Sequence, residues 1–141
     1  MHLTRITYCS EIIKNIGSEE LGDILEVSRR NNVKDSITGV LLFNSNFFLQ
    51  CLEGSREVVN RLYSRICCDK RHHNVQIVAY SEVSKRQFAD WDMAYLPWTE
   101  TTRKIIAQYS IGAEFNPYQM SAQSAIELLD DLGRILQKGD N

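Results

Sequence analysis

The side chains in this sequence best placed for chemistry are carboxamides and a phenol. Gln50 stands in the run NFFLQCLEG, residues 46–54, with apolar residues on both sides. A polar group buried without partners costs about 1–3 kcal/mol, so an amide in a core strand must find hydrogen bonds. The carboxamide carries two donors and an acceptor, and turning it end for end exchanges them without changing its shape. Tyr8, in RITYCS, supplies a hydroxyl that can donate to one orientation and accept from the other. Asn31 and Asn32, in the run RNN at 30–32, add two more amides at the expected end of a helix. Such groups suit the edge of an imide or uracil-like ring, where C=O and N–H alternate. A planar heterocycle held between two helices makes the set intelligible. Each residue also has an ordinary reading: Gln50 on an outward face, Tyr8 as a core phenol with its hydroxyl at the rim, Asn31 and Asn32 as cap and turn residues.

The elements that must position these groups follow from periodicity. Residues 2–9, HLTRITYC, alternate as a strand with Thr4, Ile6 and Tyr8 on one face. A helix follows, with Ser18 as the expected N-cap, Glu19 and Glu20 in its first turn, and Leu21, Ile24 and Leu25 as its apolar stripe. Arg29 and Arg30 fall in its last turn, and Asn31 is expected to cap its end. SITGVLLF and FFLQCLE form a hairpin around NSN. Ser55 caps a second helix, in which Val59, Leu62, Tyr63 and Ile66 recur at helical spacing. NVQIVAYSEV is a fourth strand. FADWDMAYLPW is a fifth, with Trp91, Met93 and Tyr95 expected on one face. The first six elements match the split βαβ, or ferredoxin-like, order. Strands 1 and 3 are expected as parallel central neighbours, which puts Tyr8 beside Gln50. Beyond them come a short helix from residue 101, a connector around IGAEFNPYQM, and an amphipathic helix with Ile126, Leu129 and Leu132 in its stripe. About forty residues cannot build a core alone, so this tail must dock on the domain or on another chain.

Composition narrows the function. The chain has 141 residues, 43% hydrophobic, enough for one domain with a real core. A formal net charge of −2 argues against a nucleic-acid partner, and the short basic runs SRR and DKRHH sit where helix dipoles favour cations. The seven glycines form no phosphate loop, and no metalloprotease, serine-hydrolase or paired-carboxylate spacing is present, so no enzyme is expected. His72 and His73 are adjacent, so on a helix they diverge by about 100° and do not share a metal. A surface helix end is the simpler reading, with a ligand contact by one of them left open. Cys9, Cys51, Cys67 and Cys68 lack zinc-site spacing and read as reduced thiols. MHLTRITYCS lacks the pattern of a signal peptide, and no apolar run approaches the roughly 20 residues of a membrane span. A soluble cytoplasmic protein with no membrane partner is expected.

Five segments in order and spacing resemble the BLUF family, blue-light sensors using FAD. They are RITYCS with Tyr8, RNNVKDSITGVLLF with Asn32, FFLQCLEG with Gln50, RICCDKRHHN with Asp69, Arg71 and His72, and FADWDMAYL with Trp91 and Met93. The resemblance implies an α+β fold: a ferredoxin-like βαββαβ with an added fifth strand, the flavin between the two helices, and a C-terminal two-helix extension. It implies a photosensor domain over residues 1–97 and a helical extension over 98–141. The tail is similar to that of short stand-alone BLUF proteins of the PixD kind. Tyr8 matches the tyrosine that gives an electron and then a proton to the excited flavin. Gln50 matches the glutamine whose amide rearranges and produces a reversible red-shifted state. Asn31 and Asn32 match residues at the polar edge of the ring. Arg65, Asp69, Arg71 and His72 fall where the family contacts the flavin or its ribityl chain. Trp91 and Met93 match the pair that passes the signal on, and which of them faces the flavin is left open. Cys9 departs from the small polar residue expected beside the tyrosine. The implied output is a separate signalling partner or an oligomer change, and the amphipathic tail makes a homo-oligomer the expected assembly. Two other classes fit the fold: a small acylphosphatase-like hydrolase, which lacks its phosphate loop here, and a flavin-free adaptor, against which Tyr8, Gln50 and Asn32 all argue.

Overall fold

The computed structural model describes residues 2–13, 17–91, 93–97, 99–110 and 114–139. In chain order the elements are β1 (Leu3–Ile12), α1 (Ser18–Lys34), β2 (Thr38–Phe43), β3 (Phe47–Ser55), α2 (Arg56–Cys68), β4 (His72–Glu82), β5 (Ala94–Pro97), α3 (Glu100–Ile106) and α4 (Ala122–Gly139). The strands form one sheet in the order β4-β1-β3-β2-β5. β1 and β3 are neighbours, but antiparallel rather than parallel. The reason is connectivity. Helix α1 returns the chain so that β2 runs parallel to β1, and the β2–β3 hairpin then reverses direction, so β3 enters between them opposed to both.

Local sequence explains most elements. Asn44 closes the hairpin by accepting from the Asn46 and Phe47 N–H groups at 2.8 and 2.7 Å. Gly39 is required where β2 meets β3, since a Cβ there would lie 2.0 Å from the Cys51 carbonyl oxygen. Ser55 caps α2, its hydroxyl accepting from Val58 N–H at 3.4 Å. Helix α1 differs from expectation at both ends. Gly17 is its N-cap and Ser18 its first helical residue. It continues past the arginines to Lys34, with Asp35 N–H bonded to the Asn31 carbonyl at 3.1 Å. Asn31 and Asn32 are thus helical residues of the last turns, whose side-chain directions the helix sets.

Strand alternation sends neighbouring residues to opposite faces of the sheet. On one face Ile6, Tyr8, Ile37, Leu41, Leu52, Val59 and Met93 pack together beneath α1 and α2. On the other, Cys9, Val40, Leu42, Leu49 and Cys51 meet Ile106 of α3 and Ala125, Leu128, Leu129 and Leu132 of α4. The tail therefore covers the second face. Its buried stripe is centred on Ala125, Leu128, Leu129 and Leu132, with Ile126 half-buried at the flank. The connector supplies Phe115, fully buried in the same core, and part of it, residues 111–113, lies outside the described residues. Among the described residues no helix is long and apolar enough to cross a membrane.

The fifth strand is shorter than the sequence suggests. β5 covers Ala94–Pro97, while Asp92 and Trp98 lie outside the described residues. Trp91 precedes the strand, and its N–H bonds the Phe88 carbonyl at 3.0 Å in a turn. Strand alternation does not apply there, and Trp91 and Met93 lie on opposite faces of the sheet.

Candidate functional site

Tyr8 and Gln50 are direct cross-strand partners in the β1–β3 pair, both facing α1 and α2. Both are buried, at 4% and 7% exposure. The Tyr8 hydroxyl donates to Gln50 Oε1. Gln50 Nε2 then points at Met93 Sδ, 3.4 Å away. A thioether is a weak acceptor, so the amide nitrogen lacks a strong partner among the described residues. Burial raises the Tyr8 pKa well above that of a free phenol, so the phenol keeps its proton throughout the neutral range. The Tyr63 ring lies 5.7 Å from that of Tyr8 and helps to wall it in.

These groups open into a cavity of about 260 Å³ between α1 and α2. Helix α1 contributes Ser28, Asn31 and Asn32 to its wall, spaced so that one helical face carries them. Asn32 is buried, at 4% exposure, and its carboxamide has no hydrogen bond among the described residues. Its amide lines the cavity, where its donors and its acceptor are available to a polar ligand. Arg65, on α2, and Asp69, Arg71 and His72, after it, line the mouth. The Arg71 guanidinium donates to Asp69 Oδ1 at 2.8 Å and to Oδ2 at 2.5 Å. This hydrogen bonding holds the Asp69 carboxyl below its usual range. Nε2 of His72 lies 2.6 Å from the Ile66 carbonyl, which only accepts, so that nitrogen carries a proton. Its Nδ1 meets the Ser10 hydroxyl at 2.7 Å. The ring thereby pins the end of α2 to β1.

The structure brings Tyr8, Gln50, Asn31, Asn32, Arg65, Asp69, Arg71 and His72 to one cavity and sets Met93 against the Gln50 amide. It leaves Trp91 out: that ring stacks on Phe88, with centroids 6.0 Å apart, and lies beside Gly133 of α4 on the opposite face. Two positions escaped the sequence reading. Ser28 is one turn before Asn32, so helical spacing alone could have found it. Tyr95 donates from its hydroxyl to the Leu25 carbonyl and carries the Arg29 guanidinium 4.7 Å above its ring. Arg29 also donates to the Met93 carbonyl at 3.2 Å, tying α1 to the segment beside the Gln50 amide. No local pattern announces those contacts.

The FAD-using BLUF family fits this chemistry: its flavin ring is planar and has an edge of alternating carbonyl and N–H groups, which the carboxamides of Asn32 and Gln50 can match. The family model for sensors of blue light using FAD matches residues 3–94. The blue light- and temperature-regulated antirepressor BluF of Escherichia coli is 34% identical over 86 residues, 61% of this chain and 21% of that protein. The photoactivated adenylate cyclase subunit beta of Euglena gracilis is 32% identical over 108 residues, 76% of this chain and 12% of that one. The chain thus spans about a fifth or less of these curated relatives. Among solved structures, BlsA in its photo-activated state superposes with a TM-score of 0.82 at 30% identity, over 93% of this chain and 94% of that one. The BLUF protein BlrB in its dark state gives 0.78 at 25% identity, over 94% and 96%. The chain belongs to the BLUF family of blue-light sensors using FAD.

Proposed function

We propose that Tyr8 and Gln50 are the switching pair of this blue-light sensor, and that their state is passed from the photosensor domain, residues 1–97, to the helical extension, 98–141. The observation that carries this reading is the half-satisfied Gln50 amide. Its oxygen is taken by Tyr8, while its nitrogen faces only the Met93 thioether. FAD, when bound, supplies the blue-light absorption and the oxidising power of its excited state. Asn31 and Asn32 would hold the polar edge of its ring, and Arg65, Asp69, Arg71 and His72 would hold the parts nearer the cavity mouth.

What the residues do follows from hydrogen-bond direction. A phenol with its proton donates to the carboxamide oxygen, as Tyr8 does here. A phenol that has lost its proton accepts, and then favours the carboxamide nitrogen. Tyr8 would give an electron and then its hydroxyl proton to bound FAD and take both back in the dark, and while the proton is away the preferred orientation of Gln50 is inverted. Burial keeps water from offering competing partners, so two discrete states exist rather than a continuum. Met93 is flexible and polarizable, suited to following either orientation.

The sensor is proposed to act without catalytic turnover of its own, signalling to a separate protein or through an oligomer interface. Purified protein is expected to be yellow, with a blue-light-induced red shift that reverses in the dark. Tyr8→Phe or Gln50→Ala should abolish the shift while flavin stays bound, and a normal photocycle in either variant would sink the assigned roles. Colourless protein would favour a hydrolase if it cleaves acyl phosphate, and an adaptor if it does not. Size-exclusion of dark and lit samples tests whether light changes the assembly.

A further inference from the structure

Glu53 lies on β3 three residues after Gln50 and faces the opposite side of the sheet. Among the described residues it is the only carboxylate or cation that is buried, at 0% exposure. An ionised carboxylate out of water needs several donors. Glu53 Oε2 accepts from Arg5 Nε of β1 at 2.9 Å and from the backbone N–H of Gln87 at 2.9 Å, and Oε1 accepts from Phe88 N–H at 2.8 Å. A terminal nitrogen of Arg5 completes the pair at 2.8 Å. Arg86 reinforces the same junction, donating to Thr38 Oγ1 at 2.7 Å, to the Glu53 carbonyl at 3.1 Å and to the Ser36 carbonyl at 2.7 Å.

Gln87 and Phe88 belong to the crossover that carries the chain from β4, at one edge of the sheet, to β5, at the other. The Gln87 side chain donates to Asp130 Oδ1 of α4 at 2.5 Å. Phe88 stacks on Trp91, and a Cβ at Gly133 of α4 would come within 3.2 Å of the Trp91 ring. The Trp91 carbonyl accepts from Gly39 N–H at 3.0 Å, and Met93 then meets the Gln50 amide. One short segment therefore touches α4 at its start and the photoactive amide at its end. An apolar side chain at position 53 could serve stability alone as well as a buried ion pair does. It could not hold two consecutive backbone N–H groups.

We propose that Glu53 is a positioning residue: it sets the crossover so that Met93 meets Gln50 while Gln87, Phe88 and Trp91 seat on α4, making this segment the lever that reports the state of Gln50 to the C-terminal helix. The proposal rests on Gln50 being the switch.

Amide hydrogen exchange of the full chain, dark and lit, tests it on wild type, Glu53→Gln and Gln87→Ala. Glu53→Gln sets an amide N–H₂ against donors, so exchange over 87–91 in the dark should rise about tenfold. In the same variant the light-dependent exchange difference over 125–134 should vanish and dark recovery should change. Gln87→Ala keeps the backbone bond to Glu53 and should shrink only the difference over 125–134. A Glu53→Gln protein with a lower denaturation midpoint but wild-type dark recovery and wild-type light response in α4 would reduce Glu53 to a structural carboxylate and overturn the proposal. If Glu53→Gln fails to fold, an unaltered α4 response in Gln87→Ala overturns it instead. A red shift retained in Gln50→Ala would refute the switch itself, an outcome separate from these.

Discussion

The two faces of the sheet are made by the same strands and serve different ends. Tyr8 and Cys9 are neighbours in sequence, as are Gln50 and Cys51, yet each pair divides between the faces. The face under α3 and α4 is filled: Phe115, Leu128, Leu129 and Leu132 are at 1% exposure or less. The face under α1 and α2 has a cavity of about 260 Å³, lined by the carboxamides of Asn31, Asn32 and Gln50. A packed face stabilises, and on the proposed reading the face with the polar cavity is the one that binds flavin and switches. Confining them to opposite sides lets the site turn polar groups into a cavity while the other face supplies the packing.

This contrast predicts that stability and photochemistry respond to different substitutions. The largest expected effect is on the filled face. Leu129→Ala should cost about 2–5 kcal/mol in denaturant unfolding while leaving the red shift of the folded fraction intact. A changed shift comparable to that of Tyr8→Phe would break the separation.

Alkaline titration probes both faces at once. Burial pushes the Cys51 thiol from an ordinary 9.0 up to about 12, and raises the Tyr8 phenol as well. Between those limits the unfolded chain has released protons that the folded chain still holds, so stability is full below pH 9 and falls as pH rises. The slope is about 1.4 kcal/mol per pH unit for each group. Cys51→Ala should lessen the fall of the urea midpoint from pH 9 upwards, leaving the part due to the Cys9 thiol, which burial also raises, and Tyr8→Phe should lessen it only above 10. Strong coupling between the two substitutions would mean that the faces are not independent.

On the site face, Asn32→Ala should weaken FAD binding about tenfold, the worth of one hydrogen bond, with little change in the unfolding midpoint of the flavin-free chain. A large loss of stability would instead make Asn32 a structural residue. The smallest effect belongs to the cavity mouth. The Arg71 guanidinium depresses the Asp69 pKa, so this contribution is present above about pH 4 and is lost as pH falls through the lowered value. Asp69 is partly exposed, so Asp69→Asn should cost less than about 1 kcal/mol at pH 7 and match wild type in strong acid. The urea midpoint measured from pH 7 downwards checks this.

How far the sequence could be read varied with the range of the interaction. The β2–β3 hairpin around NSN, the Ser55 cap and the stripe of α2 rest on residues a few positions apart, and these the sequence shows. Helix α1 misled because its end is set by tertiary contacts: Asn32 is buried against the cavity, so the last turn persists where the composition of RNN suggests a cap. Trp91 and Met93 misled because alternation holds only inside a paired strand, and both precede β5. The buried Glu53 gave no local signal, since its donors come from residues 34 and more positions away.

The sequence by itself determined the element order, the amides and phenol available for a switch, and the family, because these depend on residue identity and short spacing. Only the tertiary structure decided that β1 and β3 run antiparallel, that Met93 rather than Trp91 meets the Gln50 amide, and that the tail closes the far face of the sheet. Those outcomes depend on which distant segments exclude water together, and no local pattern encodes that choice.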